Sequence, residues 1–294
     1  MRAAGLTVRP KVALRQLSPS SYRTAVRFRR GPLARVARAP ARVRARRLFE
    51  EGGSVTVDVS GKMGLGGVLS HAARALHGAE AMGVDVALRF TSPTYAPSWG
   101  STDWLDCYFV RLGSKPDGRP VCNSHDVPVG RPLELSESGV LVWKALRIRD
   151  DIAASADALA AGTFAAVHFR GSDKMLEAPP VSTETVLRVV HDEMAVQGLD
   201  RLFVASDEPQ FVEKARAAFG DRAFSLSLEA VATQDGTPPH FSPVAGETKA
   251  REALATMLVL ARAKLLVKTD SLLSDWATTL ARGQRVVRLD ATGN

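Results

Sequence analysis

From residue 164 onward, short apolar runs alternate with amphipathic stretches of helix length, and few folds accept that order. Phe164–Val167 is apolar and too short for a helix, and Leu202–Ala205, Ala223–Leu226, Leu265–Val267 and Val286–Leu289 have the same character. Apolar runs of this length bounded by turn residues read as buried strands. Between them, Ser182-Thr-Glu-Thr supplies an N-cap hydroxyl and an acid for a helix whose apolar face runs Val186, Val189, Val190 and Met194. Pro209 suits the first turn of a helix through Phe219. Leu254, Met257, Leu258 and Ala261 mark another buried face, and Thr269-Asp270-Ser271 is expected to cap a helix through Leu280. The Gly/Pro-rich stretch 234–246 reads as a mobile loop. Strand and helix in strict alternation imply an α/β fold, here a doubly wound parallel sheet.

The first half is less regular. Ser54–Val59 alternates and is β-branched, a good strand. It leads through Gly61-Lys-Met-Gly64-Leu-Gly66-Gly67 into a helical pattern and then a second strand, Val84–Phe90, which makes a βαβ unit. Gly64, Gly66 and Gly67 would let backbone N–H groups approach an anion at a helix start, and a tight turn without ligand explains them as well. The run is not a Walker loop, since Met63 follows Gly61-Lys62, nor a complete dinucleotide fingerprint, since Leu69 stands where the third glycine belongs. Residues 91–140 carry six prolines together with Trp99, Trp104 and Tyr108 and read as long loops around a short segment, Trp104–Val110. A helical stretch is expected over Ile152–Ala160, with a domain boundary near residue 150.

The net charge of +8 is unevenly spread. Residues 1–47 hold 13 arginines, one lysine and no acid, leaving 25 basic against 31 acidic side chains in the rest. Residues 1–47 thus read as a disordered basic tail on a mildly acidic globular body. Such a tail could contact nucleic acid or acidic lipid, or serve as a targeting segment. The body is expected to divide into two domains, residues 48–150 and 151–294. No apolar run reaches membrane-spanning length. Two cysteines, Cys107 and Cys122, make neither a disulfide framework nor a zinc site, which suits a reducing, cytoplasmic setting.

Strands of a parallel sheet deliver their C-terminal loops to one edge, so His168–Lys174, Ser206–Glu208 and Thr269–Ser271 should converge. They bring Arg170, Lys174, His168, several acids and three hydroxyls together with helix starts. A guanidinium can hold two phosphate oxygens at once, and Ser271 with nearby N–H groups can hold more. The plainer reading of Asp207 and Asp270 is that they cap helices.

His168-x-Arg170-x-x-Asp173-Lys174, then Ala205-Ser206-Asp207-Glu208-Pro209, then Leu-Val-x-Thr269-x-Ser271, resembles the α1,6-fucosyltransferase and NodZ-like nodulation fucosyltransferase family. The likeness covers about residues 165–290, and Gly64–Gly67 fits the family's N-terminal glycine loop loosely. It implies two Rossmann-like domains facing a cleft (the GT-B type), residues 48–150 as the N-terminal acceptor-side domain and 151–294 as the C-terminal nucleotide-sugar-binding domain, with GDP-fucose as donor, a glycan hydroxyl as acceptor, inversion at the anomeric carbon, and no metal or other cofactor. It assigns the β-phosphate to Arg170, the nucleoside side to His168 and a phosphate contact to Ser271. Asp207 and Glu208 match an acidic pair behind the site, and Asp173 and Lys174 the acid and lysine of the first motif; Thr269 falls within the third. Glu177, beside Lys174, is the expected general base. Three positions depart from the pattern: Gly171 replaces a second arginine, Ala178 stands where animal members have their catalytic glutamate, and Thr256 stands where they read guanine with an acid. A non-catalytic nucleotide- or glycan-binding relative is the alternative; a nicotinamide-dependent oxidoreductase and a nucleic-acid binder resting on the tail are the remaining readings.

Overall fold

The computed structural model describes residues 39–98, 102–116, 118–170, 181–229 and 242–289. Asp173, Lys174 and Glu177 lie outside the described residues, as do Gly171, Ala178, Trp99, most of the basic N-terminal stretch and most of the Gly/Pro-rich loop.

A helix, α1 (Ala39–Glu50), precedes the first strand and buries Ala45 and Phe49, so the stretch expected as a tail through residue 47 is helical where it ends. The expected βαβ unit follows as β1 (Ser54–Val59), α2 (Leu65–Met82) and β2 (Asp85–Phe90), with β1 and β2 paired in parallel. Val55, Val57 and Val59 are buried, as β-branched residues on a packed sheet should be. The helix stops at Gly83, whose φ of 65° is the left-handed conformation that glycine adopts without steric cost.

The loops of residues 91–140 contain more structure than their prolines suggest. A one-turn helix α3 (Leu105–Tyr108) runs into β3 (Phe109–Arg111), and β4 (Val121–Asn123) pairs in parallel with β1 to give the order β2-β1-β4. A further helix, α4 (Leu135–Ala145), starts at Glu134 in a reciprocal capping box with Glu137. It is followed by β5 (Leu146–Ile148), antiparallel to β3, and α5 (Asp150–Leu159).

The second half follows the alternation expected of it: β6 (Ala165–Phe169), α6 (Thr183–Gln197), β7 (Leu202–Ser206), α7 (Pro209–Phe219), β8 (Ala223–Phe224), α8 (Gly246–Arg262), β9 (Leu265–Lys268), α9 (Leu272–Thr278) and β10 (Arg285–Arg288). Ser182 Oγ accepts the Thr185 N–H at 3.1 Å as the N-cap of α6. All five strands are parallel, in the order β10-β9-β6-β7-β8. From β6 the chain winds outward through β7 to β8, crosses back in α8 to the other side of β6, and winds outward again through β9 to β10.

Alternate residues of the central strands serve two cores. Ala165, Val167, Leu265 and Val267 pack with Val186 and Val190 of α6 and Phe211 of α7. Ala166, Leu266, Phe203 and Ala205 face α5 and α8, and that cluster continues without a break into Leu69, Phe90 and Trp104 of the first half.

Candidate active site

β6 and β9 are neighbours, yet the chain leaves them toward opposite edges of the sheet. Such a switch point opens a crevice beyond the strands' carboxyl ends, where ligands of doubly wound folds sit. His168 and Arg170 come from the end of β6, Thr269 and Ser271 from the end of β9. The two ends are tied together: the Arg170 N–H donates to Thr269 Oγ1 at 2.9 Å, and the Thr269 N–H donates to the His168 carbonyl at 3.0 Å. From β7 next door comes Asp207, whose carboxylate lies 4.0 Å from Arg170 Nε. Five of the expected residues therefore meet.

Their environments are unusual. His168 is buried, and its Nδ1 has no hydrogen-bond partner among the described residues. Burial, with Arg170 and Lys268 adding to it, pushes the imidazole pKa down to about 3, so the ring is neutral at physiological pH. Ser271 occupies the N-cap position of α9, but its side chain makes no capping bond; its Oγ is buried and without a partner among the described residues. Buried polar atoms are rarely left unsatisfied, and two at the ends of adjacent strands are what a polar ligand would satisfy. Glu208 is held above the usual carboxylate range by burial and by Asp207, while its own N–H donates to Ser206 Oγ at 3.0 Å.

The plainer reading of the two aspartates does not hold. The N-cap of α7 is Glu208, and Asp207 faces Arg170. Asp270 accepts from the Arg288 guanidinium, and Ser271 takes the cap position of α9.

The glycine loop reaches the same place by another route. A Cβ on Gly66 would lie 2.6 Å from Leu272 Cβ and 2.8 Å from the Leu272 backbone carbon, so only glycine lets the start of α2 meet the start of α9, one residue from Ser271. Gly64 is the N-cap of α2, and a Cβ on Gly67 would press only on the flexible Met63 side chain. Gly66 thus has a packing role that the sequence could not distinguish from anion binding. The contact is reinforced by Trp276 Nε1 donating to Ser70 Oγ at 3.1 Å and Trp143 Nε1 donating to Thr279 Oγ1 at 2.7 Å, bonds that link the two halves.

Two residues at the site escaped sequence reasoning. Tyr95 Oη accepts the Leu65 N–H at 2.7 Å and so holds the glycine loop; burial raises the phenol's pKa, and Arg170 works against that rise. Nothing separates Tyr95 from the other aromatics of a Pro-rich loop in the sequence. Lys268, on β9 in register with His168, is buried and donates to Asp275 Oδ1 at 2.7 Å. Its interior position after Leu-Leu-Val was the available signal. Thr256, the departure at the expected base-reading position, is buried in α8. Cys107 and Cys122 are unbridged and partly buried, and burial pushes the Cys122 thiol up to about 11. Among the described residues no helix is long and apolar enough to cross a membrane.

No protein-family model matches the sequence, and no curated protein matches it either. The fold, by contrast, has solved counterparts. The NodZ α-1,6-fucosyltransferase soaked with GDP-fucose superposes with a TM-score of 0.54 at 16% identity, over 81% of this chain and 96% of that one. The fucosyltransferase NodZ from Bradyrhizobium gives 0.51 at 16% identity over 77% and 92%. POFUT1 in complex with GDP-fucose gives 0.50 at 12% identity over 81% and 98%. At such identities the likeness is one of fold, the fold that the sequence motifs implied.

Proposed function

We propose that the chain is an inverting, metal-independent glycosyltransferase of the fucosyltransferase kind. It transfers a sugar from a nucleotide-diphospho-sugar, GDP-fucose first among them, to a glycan hydroxyl. The observation that carries this reading is the switch point, where the strand ends that present Arg170 also carry two buried polar atoms without partners among the described residues, His168 Nδ1 and Ser271 Oγ. The shared fold adds support, since the NodZ and POFUT1 structures were obtained with GDP-fucose.

The chemistry assigned to these residues follows from their types. The acceptor oxygen attacks the anomeric carbon as the bond to the β-phosphate oxygen breaks, and the electron pair leaves on the diphosphate. Arg170 meets that growing negative charge with two parallel N–H donors, and Ser271 adds a hydroxyl donor. Neutral His168 suits the nucleoside side, because an uncharged imidazole can donate or accept from a hydroxyl. Glu177, outside the described residues, is the proposed base for the acceptor proton.

Calorimetry with GDP, UDP, ADP and NAD tests the reading. GDP-selective binding, weakened roughly 100-fold in Arg170→Ala and not restored in Arg170→Lys, is the expected result, since a point charge does not replace the fork. Unchanged affinity in both variants removes the assignment. With donor and acceptor in hand, Glu177→Gln should keep GDP affinity and lower turnover by roughly 10²–10⁴. Transfer should survive EDTA. GDP binding without transfer to any acceptor would favour the non-catalytic relative, toward which Gly171 points by removing one cation.

A further inference from the structure

A cavity of about 710 Å³ lies where α2, the 129–135 loop, α4, α9 and β10 come together, and it shares no lining residue with the switch-point site. Its volume is ordinary for a small-molecule pocket. Arg74, Arg131 and Arg288 line it, together with His71, His77 and Ser138. The lining carboxylate, Asp275, is already neutralised by Lys268. Arg131 and Arg288 each meet an acid that stands outside the lining, Glu137 and Asp270.

Arg74 is different. One of its terminal nitrogens donates to the Val127 carbonyl at 3.0 Å, while its Nε is buried with no partner among the described residues. Burial is the largest influence on its pKa and lowers it, Arg42 acts in the same direction, and the Asp126 carboxylate offsets them in part without pairing with the guanidinium. An anion arriving in the cavity would oppose both. His71, one turn before Arg74, is held by a 3.3 Å contact between its Nδ1 and Ser124 Oγ and by the ring of His125 at 4.1 Å, which fixes this wall of the cavity. The cavity also adjoins the proposed chemistry: Leu272 lines it, and Leu272 directly follows Ser271.

We infer that this cavity is the acceptor subsite and that it takes an anionic saccharide, one whose carboxylate or sulfate is met by Arg74. The acceptor role rests on the transferase reading above; the selectivity for an anionic sugar does not.

The test is calorimetry on the full chain with a glucuronate-containing disaccharide, the neutral disaccharide with glucose in its place, a sulfated disaccharide, and inorganic phosphate, each with and without saturating GDP. At least one charged disaccharide should bind about tenfold or more tighter than the neutral one, and Arg74→Gln should erase the difference while GDP affinity is kept. Arg74→Lys, which keeps the positive charge, should retain part of the difference and guards against misfolding of the first variant. Equal binding of charged and neutral sugars, no binding of either charged sugar, or phosphate binding as tightly as the sugars would overturn the inference. Loss of GDP binding with charged-sugar binding intact would overturn the transferase reading and the acceptor role, leaving an anionic-sugar site.

Discussion

At the carboxyl ends of β1 and β4, Asn123 Nδ2 donates to Ser60 Oγ at 2.6 Å, Ser92 Oγ donates to the Gly61 carbonyl at 2.6 Å, and Ser124 Oγ contacts His71 Nδ1. At the carboxyl ends of β6 and β9, His168 Nδ1 and Ser271 Oγ are buried without partners among the described residues. Both edges belong to parallel sheets and both carry small polar residues. The first satisfies these groups within itself and leaves Asp126 Oδ1, beyond β4, as its buried atom without a partner among the described residues; the second leaves two such atoms at neighbouring strand ends, as the proposed ligand site requires. A polar cluster at a sheet edge is therefore informative only through which of its groups the protein itself satisfies.

The contrast can be broken most forcefully at Lys268. It stands next to His168 but, unlike it, has its partner, so Lys268→Met should strand the Asp275 carboxylate and cost about 3 kcal/mol or more in denaturant unfolding. Lys268→Met/Asp275→Leu should recover most of that; no recovery would mean that Lys268 serves something other than the pair. Gly66→Ala comes next. Its methyl group meets the Leu272 backbone, so about 1–3 kcal/mol of stability should be lost and GDP affinity should fall with it, because Ser271 moves with α9. Full GDP affinity in that variant would detach the glycine loop from the second edge.

His168 gives a pH signature. Its folded pKa of about 3 lies below its ordinary value near 6.5, so between these values the unfolded chain binds the proton and the native one does not. Stability is complete above about pH 7 and declines as pH falls toward 3, by up to about 1.4 kcal/mol per pH unit. His168→Gln should flatten the profile over that window, and an unchanged slope would show that another group governs it. Saturating GDP should also resist acid if the nucleoside side uses neutral His168. The smallest effect on stability belongs to Ser271→Ala. Removing an unpartnered buried hydroxyl should change unfolding free energy by less than about 1 kcal/mol, or raise it, while GDP binds about tenfold more weakly. Loss of stability without loss of affinity would make Ser271 structural.

The two halves also differ in how much of them could be read in advance. Leu265-Leu-Val267 is buried on both faces, so its strand state is written in its own residues. Val121-Cys-Asn123 is a strand only because β1 lies beside it, with Val121 exposed and two partly buried neighbours. The helix Leu135–Ala145 was hidden for a related reason: its capping box uses Glu134 where Ser or Thr would have announced it. The candidate site divides in the same way. Arg170, His168 and Ser271 could be proposed because parallel strands send their ends to one edge. Tyr95 and Arg74 could not, since both act through residues 30 or more positions away, Leu65 and Val127.

By itself the sequence determined the parallel α/β alternation, the crossover helices and the edge at which Arg170 and Ser271 emerge, because burial pattern, caps and turn residues are local properties. Tertiary structure alone decided which polar atoms found partners: that Asp275 neutralises Lys268, that Gly66 admits α9, and that His168 and Ser271 were left unsatisfied. Hydrogen-bond satisfaction depends on distances between residues far apart in the chain, and those distances exist only once the two sheets have packed around their shared core.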